Sequence, residues 1–144
     1  MRWRPIGLTA DRRLLYADAS ALVKLVVDED ESGALETHIR PTDVIATSAV
    51  ARVEVARAAR VADPSGAVLG EVDRLLDSCL LIEVNSSLLE AAASLSSREV
   101  RSLDAIHLAS VLRTEPDEVL VYDRRLAVQV DAHGFPAASP GRLG

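Results

Sequence analysis

Short apolar runs alternate with amphipathic windows along the whole chain. The apolar runs predict five strands, at residues 14–18, 43–47, 80–84, 118–122 and, with a weaker pattern, 136–138. Apolar residues at helical spacing predict helices between them, at residues 19–27, 32–40, 49–62, 65–77, 86–95, 102–113 and 124–133. Because strands that alternate with helices build parallel sheets, the pattern predicts an α/β fold.

Length and composition agree with one such domain. The chain has 144 residues, of which 49% are hydrophobic, enough to bury one sizeable core. The strand–helix pattern covers residues 14–141 and leaves residues 1–13 as an N-terminal extension. No apolar run approaches the roughly 18 residues that a membrane-spanning helix needs, so we expect no membrane contact. The single cysteine, Cys79, cannot form an intramolecular disulfide, which favours the reducing cytoplasm.

The charge balance limits how the chain can bind a polyanion. Lys and Arg number 16 and Asp and Glu number 22, for a formal net charge of −6. An acidic chain has no broad basic face for nucleic acid. An aromatic content of 3% leaves few side chains on which bases could stack. A nucleic-acid partner would therefore have to be met by a metal ion or by a local group of cations.

Four acidic residues occur where the predicted sheet would bring them together. Asp18 and Asp123 follow the first and fourth strands, Glu54 lies on the helix after the second strand, and Asp104 is in the first turn of a largely apolar helix. The carboxyl ends of parallel strands share one edge of the sheet, where open α/β sheets bind their ligands. Acids at strand beginnings lie at the opposite edge and are set aside, namely Asp43, Asp117 and Glu118.

Two of these acids also have an ordinary structural interpretation. Asp104 complements the partial positive charge of a helix N-terminus, and Glu54 forms an i,i+3 pair with Arg57. Against that, Glu54 shares a predicted apolar face with three valines, Val50, Val53 and Val61.

Taken together, the four carboxylates point to a cation. Two ionised carboxylates 4–5 Å apart repel by roughly 4 kcal/mol at an effective dielectric constant near 20. Hard oxygen ligands without a Cys or His cluster suit Mg²⁺ or Mn²⁺ and not Zn²⁺. The pattern therefore predicts a magnesium site, with Mn²⁺ as the alternative ion.

Four blocks of sequence resemble, in order, the motifs of PIN-domain ribonucleases, and particularly the VapC-like toxins of bacterial toxin–antitoxin pairs. The blocks are LYADASALVKL at 15–25, TSAVARVE at 47–54, RSLDAIHLA at 101–109 and YDRRLA at 122–127, with residues 136–141 as a closing strand and tail. Any one block is a weak signal, but their order over residues 14–141 is specific.

The resemblance implies a three-layer α/β/α sandwich around a central parallel sheet of four to five strands. It further implies Mg²⁺-dependent endonucleolytic cleavage of RNA by in-line attack of water, leaving a 5′-phosphate and a 3′-hydroxyl. Carried over by position, Asp18, Asp104 and Asp123 would be metal ligands. Glu54 would be a ligand or would orient the attacking water, and Ser20 would hydrogen-bond within the site.

The resemblance also implies partners. These are an RNA substrate, a cognate VapB-like antitoxin that covers the acidic cleft, and a second copy of the chain in a homodimer. Small apolar residues on the third predicted helix offer a stripe for a dimer or for packing within the monomer, namely Ala51, Val55, Ala58, Ala59 and Ala62. Arg124, Arg125 and, more weakly, Arg52 and Lys24 are candidate contacts to the RNA backbone.

Two residues near the motifs need separate interpretation. The family often has Thr or Ser two residues before the fourth acid, and Val121 stands there in this chain. Because valine has no hydroxyl, the sequence leaves open which group orients Asp123. His107, three residues after Asp104, is interpreted as a hydrogen-bonded core histidine in preference to a metal ligand.

Three other classes of protein share features of this pattern. A phosphoacceptor receiver domain needs a lysine after its last strand, but the only lysine, Lys24, is in the first helix. A haloacid-dehalogenase-like phosphatase needs a second Asp two residues after the first, and that position is Ser20. A catalytically idle module that keeps the fold and binds a partner protein stays open.

Overall fold

The computed structural model describes residues 12–95 and 100–142. Within these ranges the strands are β1 Leu14–Ala17, β2 Val44–Ser48, β3 Leu80–Ile82, β4 Glu118–Leu120 and β5 Ala137–Ala138. The helices are α1 Ala19–Val23, α2 Ser32–His38, α3 Ala51–Ala62, α4 Leu69–Asp77, α5 Ser86–Ala93, α6 Ser102–Thr114 and α7 Arg124–Ala132. The predicted order of elements is confirmed. No helix in the described ranges is long and apolar enough to cross a membrane.

All five strands are parallel and lie in the order β3-β2-β1-β4-β5. The chain moves outwards from β1 through β2 to β3, and then returns to the other side of β1 for β4 and β5. The order therefore reverses between β1 and β4. In sheets of this kind a crevice opens beyond the carboxyl ends of the two strands at the reversal, which makes that edge the expected binding site.

Side-chain alternation in β1 builds a core on each face of the sheet. Leu15 and Ala17 face one core, and Leu14 and Tyr16 face the other. All four are 0% exposed, because a central parallel strand is covered by helices on both sides. This arrangement explains why the first strand has a continuous apolar sequence and not an alternation of apolar and polar residues.

The helices form the two outer layers of the predicted α/β/α sandwich. One layer contributes Leu22 of α1, Val55 of α3 and Val72 of α4 to its core. The other contributes Leu108 of α6 and Leu126 of α7. Helix α5 packs on the outside of α6. Consequently α3 and α6, which carry two of the predicted site acids, lie on opposite faces of the sheet.

Two helices, α1 and α4, are each four residues shorter than the sequence pattern predicts. The amides of Lys24, Leu25 and Val26 bond carbonyls three residues back, so the backbone beyond Val23 is too tightly wound to extend α1. Helix α4 begins at Leu69 and not near residue 65, because Gly66 has φ of +76° and interrupts the right-handed backbone.

The acids at strand beginnings have structural partners, as their exclusion from the site predicts. Asp43 pairs with Arg13 at 2.6 Å, and Glu118 Oε1 lies 2.5 Å from His38 Nε2. The carboxylate of Asp117 accepts the backbone N–H of the first residue of β1 at 2.7 Å. Of the predicted N-terminal extension, residues 1–11 lie outside the described residues, and the boundary at residue 13 stays a prediction.

Candidate active site

The structure places the four predicted acids around the carboxyl edge of the sheet. Asp18 follows β1 directly, and its N–H donates to the carbonyl of Leu120 at the end of β4. Asp123 comes three residues after β4, Glu54 is in the first turn of α3 and Asp104 is in the first turn of α6. The reversal of strand order thus brings together four segments that are far apart in sequence.

Asp18 is the most buried of the four, with 5% of its surface exposed. It caps the N-terminus of α1: Oδ1 accepts the hydroxyl of Ser20 at 2.6 Å and the N–H of Ala21 at 3.1 Å. Burial raises its pKa to about 6, with a further contribution from the negative charge of Glu54, while His107 and the two hydrogen bonds act in the opposite direction. The anionic form of Asp18 is therefore costly in the metal-free protein.

Ser20 hydrogen-bonds to two of the segments that meet at this edge. Its hydroxyl donates to Asp18 and accepts the N–H of Tyr122 at 2.9 Å, which ties the segment after β4 to the beginning of α1. Asp123 caps α7 by accepting the N–H of Leu126 at 3.1 Å. The Val121 side chain is buried in the core with α6 and α7, so a backbone amide, and not a hydroxyl at position 121, orients Asp123.

Asp104 is partly buried and close to other acids. Burial raises its pKa, and the charges of Asp123 and Glu54 raise it further, against the effects of His107 and Arg101. The helix that carries it is less buried at its start than the sequence predicts, because Leu103 is 49% exposed. Asp104 thus lies at an open end of α6 and can be reached from solvent.

Glu54 bonds a histidine and not the Arg57 considered in the sequence. Its Oε1 lies 2.8 Å from His107 Nε2, with 22% of the Glu54 side chain exposed. The predicted apolar face around Glu54 is wrong, since Val53 and Val61 are 62% and 84% exposed.

The face of α3 that is buried is instead Ala51, Val55 and Ala59, each 0% exposed in the core against α1 and α4. These residues belong to the stripe considered for a dimer. These three residues therefore pack within the monomer, as the alternative interpretation of the sequence allowed, while Ala62 at the end of the stripe is exposed.

His107 is buried, at 2% exposure, and hydrogen-bonded, as predicted for a core histidine. What the sequence did not reveal is that its partners are a site acid and Tyr16. The available signal was its position three residues after Asp104, which places it on the same side of α6.

Basic residues line a depression beside the acids. A cavity of about 350 Å³ is bounded by Arg101, Asp104, Asp123, Arg124 and Arg125. Arg124 and Arg125 are exposed there, and their proposed contact with RNA stays a prediction. Arg101, which precedes α6, was not among the cations that the sequence indicated.

The two weaker cationic candidates are already paired. Arg52 bonds Asp77 at 3.1 Å across α3 and α4. Lys24 bonds Glu31 at 3.0 Å and lies 4.7 Å from the ring centre of Tyr122. A second cavity, of about 370 Å³, includes Lys24, Ser20, Asp123 and Arg142 in its walls. Asp123 therefore separates two depressions that both contain positive side chains.

The donor set fits a divalent cation in its chemistry. It consists of carboxylate oxygens, the ligands that Mg²⁺ prefers. Burial and mutual repulsion raise the pKa of Asp18 and of Asp104, and a bound cation would offset the free-energy cost of keeping both ionised. In the described part of the chain, however, no three His, Cys, Asp or Glu side chains are already arranged around one point as ligands. The acids are neighbours in the metal-free geometry but do not form a finished coordination shell.

Comparison with known proteins decides the family. The model of the PIN domain matches residues 15–131. The chain belongs to the PIN-domain family. Ribonuclease VapC46 of Mycobacterium tuberculosis is 37% identical over 128 residues, covering 88% of this PIN domain chain and 97% of the relative. Ribonuclease VapC47 of the same species is 34% identical over 140 residues, covering 90% and 99%.

Solved structures give the same fold for this PIN domain. The crystal structure of M. tuberculosis VapC20, described as a toxin that cleaves the sarcin–ricin loop, superposes with a TM-score of 0.68 at 20% identity, covering 88% of this chain and 99% of that one. A toxin–antitoxin complex from Klebsiella pneumoniae gives a TM-score of 0.67 at 18% identity, covering 90% and 99%. The predicted α/β/α fold and the family resemblance are both confirmed.

Proposed function

We propose that this PIN domain is a Mg²⁺-dependent endoribonuclease and the toxin of a toxin–antitoxin pair. The observation that carries the proposal is the convergence of Asp18, Glu54, Asp104 and Asp123 at the reversal of strand order, in a chain whose relatives at 34–37% identity are named ribonucleases. Because its substrate would be RNA, we place this activity in the cytoplasm.

The acidic side chains of the site and Ser20 have different proposed roles. Asp18, Asp104 and Asp123 would hold Mg²⁺, for which Mn²⁺ is a substitute. When bound, the ion acts as a Lewis acid that lowers the pKa of water and neutralises charge on the phosphate. Ser20 keeps Oδ1 of Asp18 engaged, so that Oδ2, which accepts no hydrogen bond from a described residue, is left for a ligand.

Glu54 and the arginines complete the proposed site. The Glu54 carboxylate, with Oε1 held by His107, orients the attacking water through its other oxygen. Arg101, Arg124 and Arg125 line the cavity beside Asp104 and Asp123, where they would bind the RNA backbone. Hydrolysis by in-line attack would leave a 5′-phosphate and a 3′-hydroxyl.

The activity is tested with purified protein and 5′-labelled total RNA, with Mg²⁺ or Mn²⁺ and with EDTA. We expect metal-dependent cleavage. Asp104→Asn should reduce it at least about 100-fold, because losing a ligand costs more than the 10–100-fold typical of residues behind the ligands. Asp73→Asn, an exposed acid of α4, is the matched control and should cleave normally.

Two results would contradict the nuclease proposal. Cleavage that persists in EDTA, or an Asp104→Asn variant as active as the parent, would show that another activity cuts the RNA. No cleavage under any condition by the folded protein would favour the idle interaction module instead.

The proposed partners are a VapB-like antitoxin and a second copy of this chain. The structural neighbours include toxin–antitoxin complexes, among them VapBC-1 of Haemophilus influenzae. We expect a small protein encoded beside this chain to co-purify with it and to inhibit cleavage. Light scattering of the isolated chain should give the mass of a dimer. A monomer at micromolar concentration, or co-expression without complex formation, would contradict the corresponding partner.

A further inference from the structure

A buried chain of hydrogen bonds runs from β1 through α6 to α3. The Tyr16 hydroxyl lies 2.7 Å from His107 Nδ1, and His107 Nε2 lies 2.8 Å from Glu54 Oε1. Tyr16 is 0% and His107 2% exposed, and their rings meet edge to face with centroids 5.9 Å apart. The His107–Glu54 bond joins the two helical layers at the carboxyl edge of the sheet.

We propose that His107 is a positioning residue which, held by Tyr16, fixes the Glu54 carboxylate in the site. This inference rests on the function proposed above. It assigns a role to two buried polar residues that neither hold the metal nor contact the RNA in that proposal.

The donors and acceptors of this chain determine where the protons lie. The Tyr16 hydroxyl lies within hydrogen-bonding distance of Nδ1, and the Glu54 carboxylate at the other end of the chain can only accept. The proton between His107 and Glu54 is therefore carried by Nε2, whose N–H donates to Oε1. Each of the three groups then has a hydrogen-bond partner.

Holding Glu54 matters because a free glutamate on a helix surface has many rotamers. Fixing such a side chain costs conformational entropy. A bond from a histidine that is itself locked in the core supplies this restraint before substrate binds, and it leaves Oε2 without a hydrogen bond from a described residue.

The same three residues also link the segments that carry the other acids. Tyr16 is two residues before Asp18 on the same strand, and His107 is one helical turn beyond Asp104. A hydrogen bond to each neighbour therefore constrains the relative positions of three of the four acid-bearing segments. An apolar side chain at position 107 would fill the core but would provide neither bond.

The test uses three substitutions at or near His107. His107→Leu fills the space and removes both bonds. Tyr16→Phe combined with His107→Leu also removes the hydroxyl that would otherwise be buried without a partner. His107→Gln keeps an N–H donor near the position of Nε2, and so is the conservative variant. His38→Gln is the matched control, because His38 also pairs with a glutamate, Glu118, but at the opposite edge of the sheet.

We expect His107→Leu, alone or with Tyr16→Phe, to lower kcat about 10-fold with little change in KM for RNA. Binding of Mn²⁺ alone, measured by titration calorimetry, should weaken about 3-fold or more. His107→Gln should recover most of both losses. His38→Gln should leave kcat and Mn²⁺ binding unchanged, whatever it does to the unfolding midpoint.

The decisive measurement repeats His107→Leu in a Glu54→Gln background. If His107 acts through Glu54, the second substitution should cost little there, because the interaction is already lost. An equal loss in both backgrounds, or no loss of kcat and Mn²⁺ affinity in a folded His107→Leu variant, would overturn the proposal. Mn²⁺ binding that depends on His107 in a chain that cuts no RNA would refute the nuclease function and leave the positioning role standing.

Discussion

Replacing Asp18 with Asn is expected to abolish RNA cleavage and, at the same time, to stabilise the metal-free protein. The pKa of this carboxyl rises from 3.8 to about 6 on folding, mainly because the group is buried. Above pH 6 the folded protein must therefore keep a buried anion that the unfolded chain exposes to water. Asn can accept the same hydrogen bonds at the start of α1 without carrying that charge.

The sign of the pH dependence follows from the raised pKa. Between about pH 4 and pH 6 the folded state binds more protons at Asp18 than the unfolded state does, so this group lowers stability as the pH rises. Two pH units between the pKa values correspond to about 3 kcal/mol, which is an upper bound. The buried amide N–H₂ of Asn offsets part of it, and we expect a net gain of about 1–2 kcal/mol at pH 7.

Urea unfolding in EDTA at pH 4, 5, 6 and 7 measures this gain as the difference between variant and parent. The difference should favour the parent at pH 4, where the cost of the buried amide is not offset, and should shift towards the variant up to pH 7. Added Mg²⁺ should stabilise the parent and not the variant, because only the parent retains this ligand. Cleavage by the variant should fall at least about 100-fold.

Asp43→Asn is the matched control, and its expected change in stability has the opposite sign. Burial disfavours ionisation of Asp43, but its hydrogen bonds from Arg13 and Arg40 outweigh burial and lower its pKa. Its stabilising effect is present at neutral pH and is lost as the pH falls through the lowered pKa, so the control should destabilise at pH 7. An Asp18→Asn variant that is less stable than the parent at pH 7 would contradict the proposed cost of the buried anion.

Removing three arginines together, Arg101, Arg124 and Arg125, is expected to weaken RNA binding by 10- to 100-fold at about 0.1 M salt. Each contact between a cation and a phosphate of single-stranded RNA releases counterions and contributes roughly 0.7 to the slope of log K against log salt. Three lost contacts should lower that slope by about 2. All three side chains line the cavity beside Asp104 and Asp123, and none has a described ion-pair partner.

Affinity is measured by fluorescence anisotropy over a salt series, in the Asp104→Asn background so that the RNA stays intact. Substitution of Arg40, Arg60 and Arg113 is the matched control, because Arg40 precedes β2 and the other two lie in the last turns of α3 and α6, at the amino edge of the sheet. The control should change affinity little despite removing the same charge. Equal effects of the two triple variants would mean that net charge, and not this cavity, governs binding. Restoring Arg101 alone tests the residue that the sequence did not indicate.

Much of the fold follows from local pattern. The continuous apolar sequence of β1 reports a strand buried on both faces, and its alternation with amphipathic helices implies parallel strands joined by crossovers. The predicted start of α4 is wrong because one positive φ angle, at Gly66, interrupts the right-handed helical backbone. The error on α3 has a different cause: Val53 and Val61 are apolar but exposed, because helical spacing identifies residues that share a face without saying which face is turned to the core.

The sequence by itself determined the element order, the family and the four acids, because position relative to a strand end and the type of side chain are local properties. Only the tertiary structure decided which residues support them. His107 lies 91 residues after Tyr16 and 53 residues after Glu54 along the chain. The three residues meet because α3 and α6 both begin at the same edge of the sheet. Arg101 joins Arg124 and Arg125 for the same reason. Such contacts depend on how elements pack in three dimensions, and no spacing along the chain records them.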